Sequence, residues 1–237
     1  MKIQKHRASS RGSANHGWLQ ANHSFSFGNY YNPDRLQFGA LRVLNDDVIA
    51  PSMGFGEHPH KNMEIITIPL QGVLKHKDNM SNEWLPIKPG EVQIMSAGTG
   101  VFHSEINGSS KEDLKLFQIW ILPNKDGVTP RYDQKVFSSE ERKNKLQVLV
   151  SAIDDDEDGL KIYQDALISR IDLDKNKTFE YTLKSPNYGV FLMNISGEVL
   201  IENESLQERD ALLIEKTDSF TVSANLNSEL LFIEVPF

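Results

Sequence analysis

The chain has 237 residues, 33 acidic against 25 basic, for a formal charge of −8, and no cysteine. That composition excludes disulfides, thiolate metal sites, Fe–S clusters and a cysteine nucleophile, and an acidic surface disfavours direct nucleic-acid contact. With 39% hydrophobic residues and 12 Phe, 6 Tyr and 3 Trp, the chain carries the anchors of a globule with one large or two small domains, not of a solvated coil.

The N-terminal MKIQKHRASSRGS is basic, but no apolar stretch follows, so no signal peptide is expected. No run approaches the ~20 apolar residues of a membrane span, and a soluble cytoplasmic protein is the expectation. Phe25 and Phe27 alternate in an SFSF segment as a strand would. Short, β-branched or aromatic runs at residues 39–49, 64–70, 72–76, 91–95 and 114–122 read as strands, separated by turns at Lys77-Asp78-Asn79, Lys88-Pro89-Gly90 and Ala97-Gly98-Thr99-Gly100. Strands at this spacing predict an all-β barrel or sandwich. Residues 138–144 (SSEERKN) read as a short helix opening. The acidic run 154–159 reads as a solvated loop, since no ligand spacing follows it.

The second half repeats the strand idiom at 163–173, 178–183, 189–195, 198–202, 211–214, 219–223 and 230–235. Residues 190–202 (VFLMNISGEVLIE) resemble 65–76 (IITIPLQGVLKH) around Gly197 and Gly72, a weak internal repeat that two tandem barrels would explain.

Imidazoles are confined to the first half: His6, His16, His23, His58, His60, His76 and His103, with none after His103. In a strand, residues two apart share a face. His58 and His60 can therefore aim at one point, as can His103 and Glu105. Three imidazoles and a carboxylate suit a first-row divalent metal with open positions, and the lack of sulfur favours Fe, Mn, Ni, Cu or catalytic zinc over structural zinc. Gly98 and Gly100 permit a tight backbone just before His103. On spacing alone, a metal site and ordinary core-satisfied imidazoles are equally good readings. His16 and His23 read as hydrogen-bonded structural residues, and His76, between Lys75 and Lys77, as solvated. Met53, Phe55, Met95, Phe102, Phe117 and Trp120 are candidate pocket liners, with Gln118 and Arg42 as candidate polar groups.

Residues 54–64 (GFGEHPHKNME) resemble the first cupin motif in its pirin form, and residues 90–105 (GEVQIMSAGTGVFHSE) the second. The run MSAGTGVFHSE is specific to the pirin family, and residues 12–29 and 129–132 also resemble bacterial pirin-like proteins, in particular the quercetin 2,3-dioxygenases. The likeness is dense over residues 1–135 and thin beyond. It implies a bicupin: two jelly-roll β-barrels packed face to face, with a metal-binding barrel over 1–135 and a barrel without metal ligands over 136–237. It implies His58, His60, His103 and Glu105 as ligands to one divalent ion, Fe(II) first, with Mn, Ni, Cu, Co or Zn accepted by the same donors. Glu64, at the position of the usual cupin glutamate, stays outside that set. The resemblance implies O₂-dependent opening of a flavonol such as quercetin with loss of carbon monoxide; Glu105, once free of its metal bond, is the candidate to take the substrate hydroxyl proton. Two other readings stand beside it: a regulatory protein-binding module, like the animal pirins that act as cofactors of transcription factors, and a cupin enzyme with a different small substrate.

Overall fold

One strand, Leu114–Ile121 (LKLFQIWI), shows how the molecule is organised. Its side chains alternate between two buried faces. Leu114, Leu116, Gln118 and Trp120 point into the first barrel, while Phe117, Ile119 and Ile121 point toward the second half of the chain. A strand covered on both faces reads as a nearly continuous apolar run for that reason.

A computed structural model describes residues 1–237. It contains 22 strands and two 3₁₀ turns. In the first half a seven-stranded sheet runs Arg131–Val136, Glu91–Ser96, Glu64–Gln71, Leu114–Ile121, Leu41–Ile49, Leu19–His23, Gly12–Asn15. It faces a four-stranded sheet ordered Gly54–His60, Val101–Asn107, Leu74–Asp78, Leu85–Ile87. The second half repeats the plan. Its seven-stranded sheet runs Lys2–His6, Ala211–Glu215, Tyr188–Ser196, Ser228–Pro236, Leu167–Leu173, Gln147–Ala152, Leu160–Ile162. Its four-stranded sheet is Thr178–Thr182, Ser219–Ala224, Val199–Ile201, Glu204–Leu206. The fold is the expected all-β bicupin. The internal repeat is structural: Gly72 and Gly197 occupy matching hairpin turns, with φ of 82° and 85°.

The largest core lies between the two seven-stranded sheets, where Leu44, Ile66, Phe117 and Ile119 meet Phe191, Met193, Leu231 and Ile233. Each such side chain contributes roughly 1.5–3 kcal/mol on burial, so the junction between the barrels is the main apolar store of the protein. The second barrel has its own filled interior. Tyr181 stacks on Phe232 at 4.8 Å and on Phe220 at 5.4 Å, and its hydroxyl donates to Glu234 at 2.7 Å. Tyr181 and Phe220 sit on Thr178–Thr182 and Ser219–Ala224, the strands that match the histidine-bearing pair of the first barrel, and Phe232 faces them from Ser228–Pro236. An aromatic stack occupies the space that imidazoles surround in the other half.

Several local expectations are corrected. Residues 138–144 form only a 3₁₀ turn, Ser139–Arg142, and Ser138 makes no side-chain cap bond. Phe25 and Phe27 lie in a turn, not a strand, so their rings diverge. Phe25 joins the junction core against Phe191 at 5.7 Å, and Phe27 meets Trp120 at 5.3 Å. The first strand, Lys2–His6, gave no periodic signal and pairs with Ala211–Glu215 of the second barrel. The acidic run 154–159 is a loop, with Asp158 paired to Lys135 at 2.6 Å and Asp155 to Lys184. No helix is long and apolar enough to cross a membrane.

Candidate metal centre

The strands Gly54–His60 and Val101–Asn107 pair antiparallel, with His103 opposite His58 and Val101 opposite His60. Period two then turns His58, His60 and His103 to the same side. Their ring centroids are 4.3–4.9 Å apart, and one ring nitrogen from each lies within 4.8 Å of the others. Glu105 follows on the inner face after a register shift between His103 and Glu105. It falls within the same distance of His103 but groups with His103 and His76, not with His58 and His60.

Two glycines make this packing feasible. A Cβ on Gly54 would come within 2.1 Å of the Glu105 carbonyl oxygen, so only glycine lets the two strands approach at that shift. Gly98 has φ +45°, and a Cβ there would collide with the Val128 carbonyl at 1.9 Å.

Hydrogen bonds fix part of the donor set. His58 donates from Nδ1 to the Gly56 carbonyl at 2.8 Å, which leaves Nε2 as its free lone pair. His103 is buried, with Nε2 lacking any partner, and Glu105 is buried with Oε1 likewise unpartnered. Burial, then the neighbouring His58, holds His60 down at about 4. Burial, then His58, His76 and His60, pushes His103 down to about 2. Burial raises Glu105 to about 7 against the hydrogen bonds from Gln118 and Thr67; the Gln118 amide donates to its Oε2 at 2.7 Å. Neutral imidazoles keep the free lone pairs that a divalent ion takes, and a buried Glu105 carboxylate gains from a cation beside it. The orphaned His103 Nε2 and Glu105 Oε1 are the observation that a divalent ion fits.

The three imidazoles stand at the wall of a cavity of about 270 Å³. Leu19, Phe27, Phe55, Ile65 and Trp120 give it apolar sides, and Asn45, Asp47 and Gln118 give it polar ones. Trp120 meets His60 edge-on at 4.8 Å and 84°. Of the expected liners, Phe55 and Trp120 are here. Met53 and Phe102 are exposed, Met95 packs with Ile65 and Val101, and Phe117 belongs to the junction between barrels. Gln118 lines the cavity as expected, whereas Arg42 donates to the Ser26 and Leu36 carbonyls instead. His16 is exposed, and His23 is buried against Asn45 Oδ1 at 2.8 Å. Glu64 is buried away from the histidines and accepts from Ser96 Oγ at 2.6 Å.

The expectation for His76 is overturned. It is fully buried, its Nε2 lies 3.0 Å from Asp78 Oδ2, and its Nδ1 lies 3.4 Å from His103 Nδ1. Asp47 and Asn45 were missed altogether; their alternation on Leu41–Ile49 was the available signal.

Comparison with known proteins shows the family and agrees with the fold. Residues 4–121 match the family model Pirin, and residues 148–235 match the model of the quercetinase C-terminal cupin domain. The chain is 43% identical over 230 residues to a quercetin 2,3-dioxygenase of Escherichia coli K12, covering 97% of each. It is 40% identical to a pirin-like protein of Caulobacter vibrioides, over 94% of this chain and 95% of that one. The crystal structure of the E. coli bacterial pirin YhhW in complex with nickel(II) superposes with a TM-score of 0.93 at 41% identity, covering 99% of both chains.

Proposed function

The chain belongs to the pirin family, and from that premise we propose that it is a metal-dependent dioxygenase that opens the central ring of flavonols such as quercetin with O₂ and releases carbon monoxide. The observation that carries the reading is the convergence of His58, His60 and His103, with Glu105 beside them, on one wall of a largely apolar cavity. Those four residues would hold one divalent ion, Fe(II) first among Mn, Ni, Cu, Co and Zn, since the nitrogen and oxygen donors accept all of them. Relatives bearing the quercetin 2,3-dioxygenase name, and one solved with nickel(II), support it.

When bound, the ion supplies Lewis acidity, which lowers the pKa of a coordinated hydroxyl. The protein does the rest. Trp120, Phe27 and Phe55 line the cavity and offer fused aromatic rings apolar contact. Asp47 and Asn45 are the polar groups that phenolic hydroxyls would meet. Glu105, raised to about 7 by burial, is a base matched to a phenol whose acidity has been increased. Released from the ion, its Oε1 would accept the flavonol 3-hydroxyl proton, while Gln118 holds Oε2 in place. The resulting electron-rich ring reacts with O₂; the two oxygen atoms enter the ester product, and one ring carbon leaves as carbon monoxide.

The test is aerobic loss of quercetin absorbance with Fe(II)-loaded protein, with carbon monoxide trapped in parallel, beside His60→Ala. Loss with carbon monoxide release in the parent and none in the variant is expected. Parent protein that retains the metal but leaves quercetin intact would overturn the flavonol assignment.

A further inference from the structure

His103 is the only one of the three clustered imidazoles whose second nitrogen faces another imidazole. Behind it the strand Leu74–Asp78 pairs with Val101–Asn107, with Asp78 opposite His103 and His76 opposite Glu105. In KHKD the lysines point outward, and His76 and Asp78 point inward, both buried. Asp78 Oδ1 is held by the backbone N–H groups of Met80 and Ser81 at 2.8 and 3.1 Å. Its Oδ2 faces His76 Nε2 at 3.0 Å. His76 is clamped from the side by the Tyr132 ring, stacked at 4.8 Å and 29°. Its Nδ1 faces His103 Nδ1 at 3.4 Å, with the Gln93 amide at 3.5 Å.

Only one arrangement of protons satisfies this chain of contacts and leaves a ligand atom. An ionised carboxylate only accepts, so His76 carries its proton on Nε2. Its Nδ1 is then an acceptor, faced by the Gln93 amide at 3.5 Å and by His103 Nδ1 at 3.4 Å, and a proton on His103 Nδ1 turns the latter contact from a clash of lone pairs into a hydrogen bond. The lone pair left on His103 is Nε2, the buried atom with no partner. The opposite polarity would protonate His103 Nε2 and remove it as a ligand.

We propose that Asp78 and His76 form a buried carboxylate–imidazole relay that sets the tautomer of His103 and so presents its Nε2 to the metal. His76 and Asp78 are positioning residues: they act through His103 and touch neither ion nor substrate. Partners of this kind fix ring orientation and raise ligand basicity, and their loss costs roughly 10–100-fold in metal affinity. The inference rests on the metal reading of the site.

The test reads zinc affinity by chelator competition, and ring tautomers by ¹H–¹⁵N correlation of the histidine side chains, in the full-length protein. Zinc is diamagnetic, and neither readout depends on turnover. In metal-free parent protein, His103 should carry its proton on Nδ1 and His76 on Nε2. Asp78→Asn keeps the shape but can donate toward His76, which reverses the polarity, and zinc affinity should fall 10- to 100-fold. His76→Gln can still donate to Asp78 and accept from His103, so it should retain affinity within about threefold, whereas His76→Leu should lose as much as Asp78→Asn. Parent protein with His103 protonated on Nε2 overturns the relay, as does Asp78→Asn with unchanged zinc affinity. Should a variant fail to fold, the parent tautomers decide alone. Failure of the parent to bind zinc would sink the metal reading itself, whereas zinc binding indifferent to Asp78 sinks only the relay.

Discussion

Asp46 and Asp47 are adjacent in sequence and serve opposite faces of one sheet. Asp46 Oδ2 lies 3.2 Å from Arg11 and 3.2 Å from Arg209, an arginine of the second half whose guanidinium also covers the Phe117 ring at 5.2 Å. Asp47 turns into the metal cavity, where its Oδ1 has no partner. One residue ties the barrels together, and the next faces the ligand space. Replacing Asp46 by Ala strands two arginines at the junction. Removing one member of a buried ionic cluster costs about 3–5 kcal/mol, and the partial exposure of Arg209 places this case at the lower end. Urea unfolding of Asp46→Ala should show a loss of about 3 kcal/mol with zinc affinity intact; a loss below 1 kcal/mol would refute the tie.

Asp47 makes the opposite prediction. Burial first, then the charges of Asp46 and Glu105, raises its carboxyl from 3.8 to about 8. Between those values the folded protein keeps a proton that the unfolded chain has released, so stability falls as pH rises through this window. Asp47→Asn removes the dependence. In metal-free protein its advantage over the parent should grow by about 2–4 kcal/mol from pH 5 to pH 8. Parallel stability curves for the two proteins would show that Asp47 is ionised at little cost.

His6 contributes to lability on the acid side, as do the buried His60 and His103. It is buried beside Phe25 with neither ring nitrogen hydrogen-bonded, and burial, then Arg35, lowers it from 6.5 to about 4. The unfolded chain gains a proton over this range and the native state does not. Stability is therefore whole above pH 6.5 and declines toward pH 4, by about 3 kcal/mol at 1.4 kcal/mol per unit. His6→Phe should flatten that decline, as followed by thermal unfolding across the range. An equally steep decline in the variant would assign acid lability elsewhere.

Two glycines beside the metal-facing strands should behave differently. Gly54→Ala forces a methyl onto the Glu105 carbonyl, 2.1 Å away before any shift of the backbone. It should weaken zinc binding at least tenfold and cost about 2 kcal/mol, in line with overpacked sites. Gly56→Ala meets nothing within 4 Å and keeps the carbonyl that accepts from His58. It should leave affinity unchanged. Equal effects of the two changes would mean that strand approach at Gly54 does not position Glu105.

The legible part of the site followed from period two. His58 with His60, and His103 with Glu105, share faces because each pair lies in one strand, and spacing alone brought out all four. The same rule failed at His76 through phase, not period. Alternation of Lys75, His76, Lys77 and Asp78 marks one wet and one dry face, but the lysines invite the reader to call the whole strand wet. His76 is held between Asp78, two residues on in the same strand, and His103, 27 residues away, and the second contact is visible only in the fold. Phe25 and Phe27 failed for a different reason: the turn bonds between Phe27 and Tyr30 break the strand that their spacing suggests. Lys2–His6 is a strand only because Ala211–Glu215 offers it an edge, which no local pattern can reveal.

That first strand has a consequence for biosynthesis. Lys2 pairs with Glu215, and His6 with Ala211, so residues 2–6 leave the ribosome about 200 residues ahead of the strand they pair with. At about 5–20 residues per second, the delay is on the order of ten to forty seconds. Meanwhile the apolar back of the first barrel, built from Leu44, Ile66, Phe117 and Ile119, has no second barrel to cover it. Until the strands of the second barrel follow, that face of the sheet stays exposed to water. A stalled or truncated product would present a sticky sheet, not a functional half.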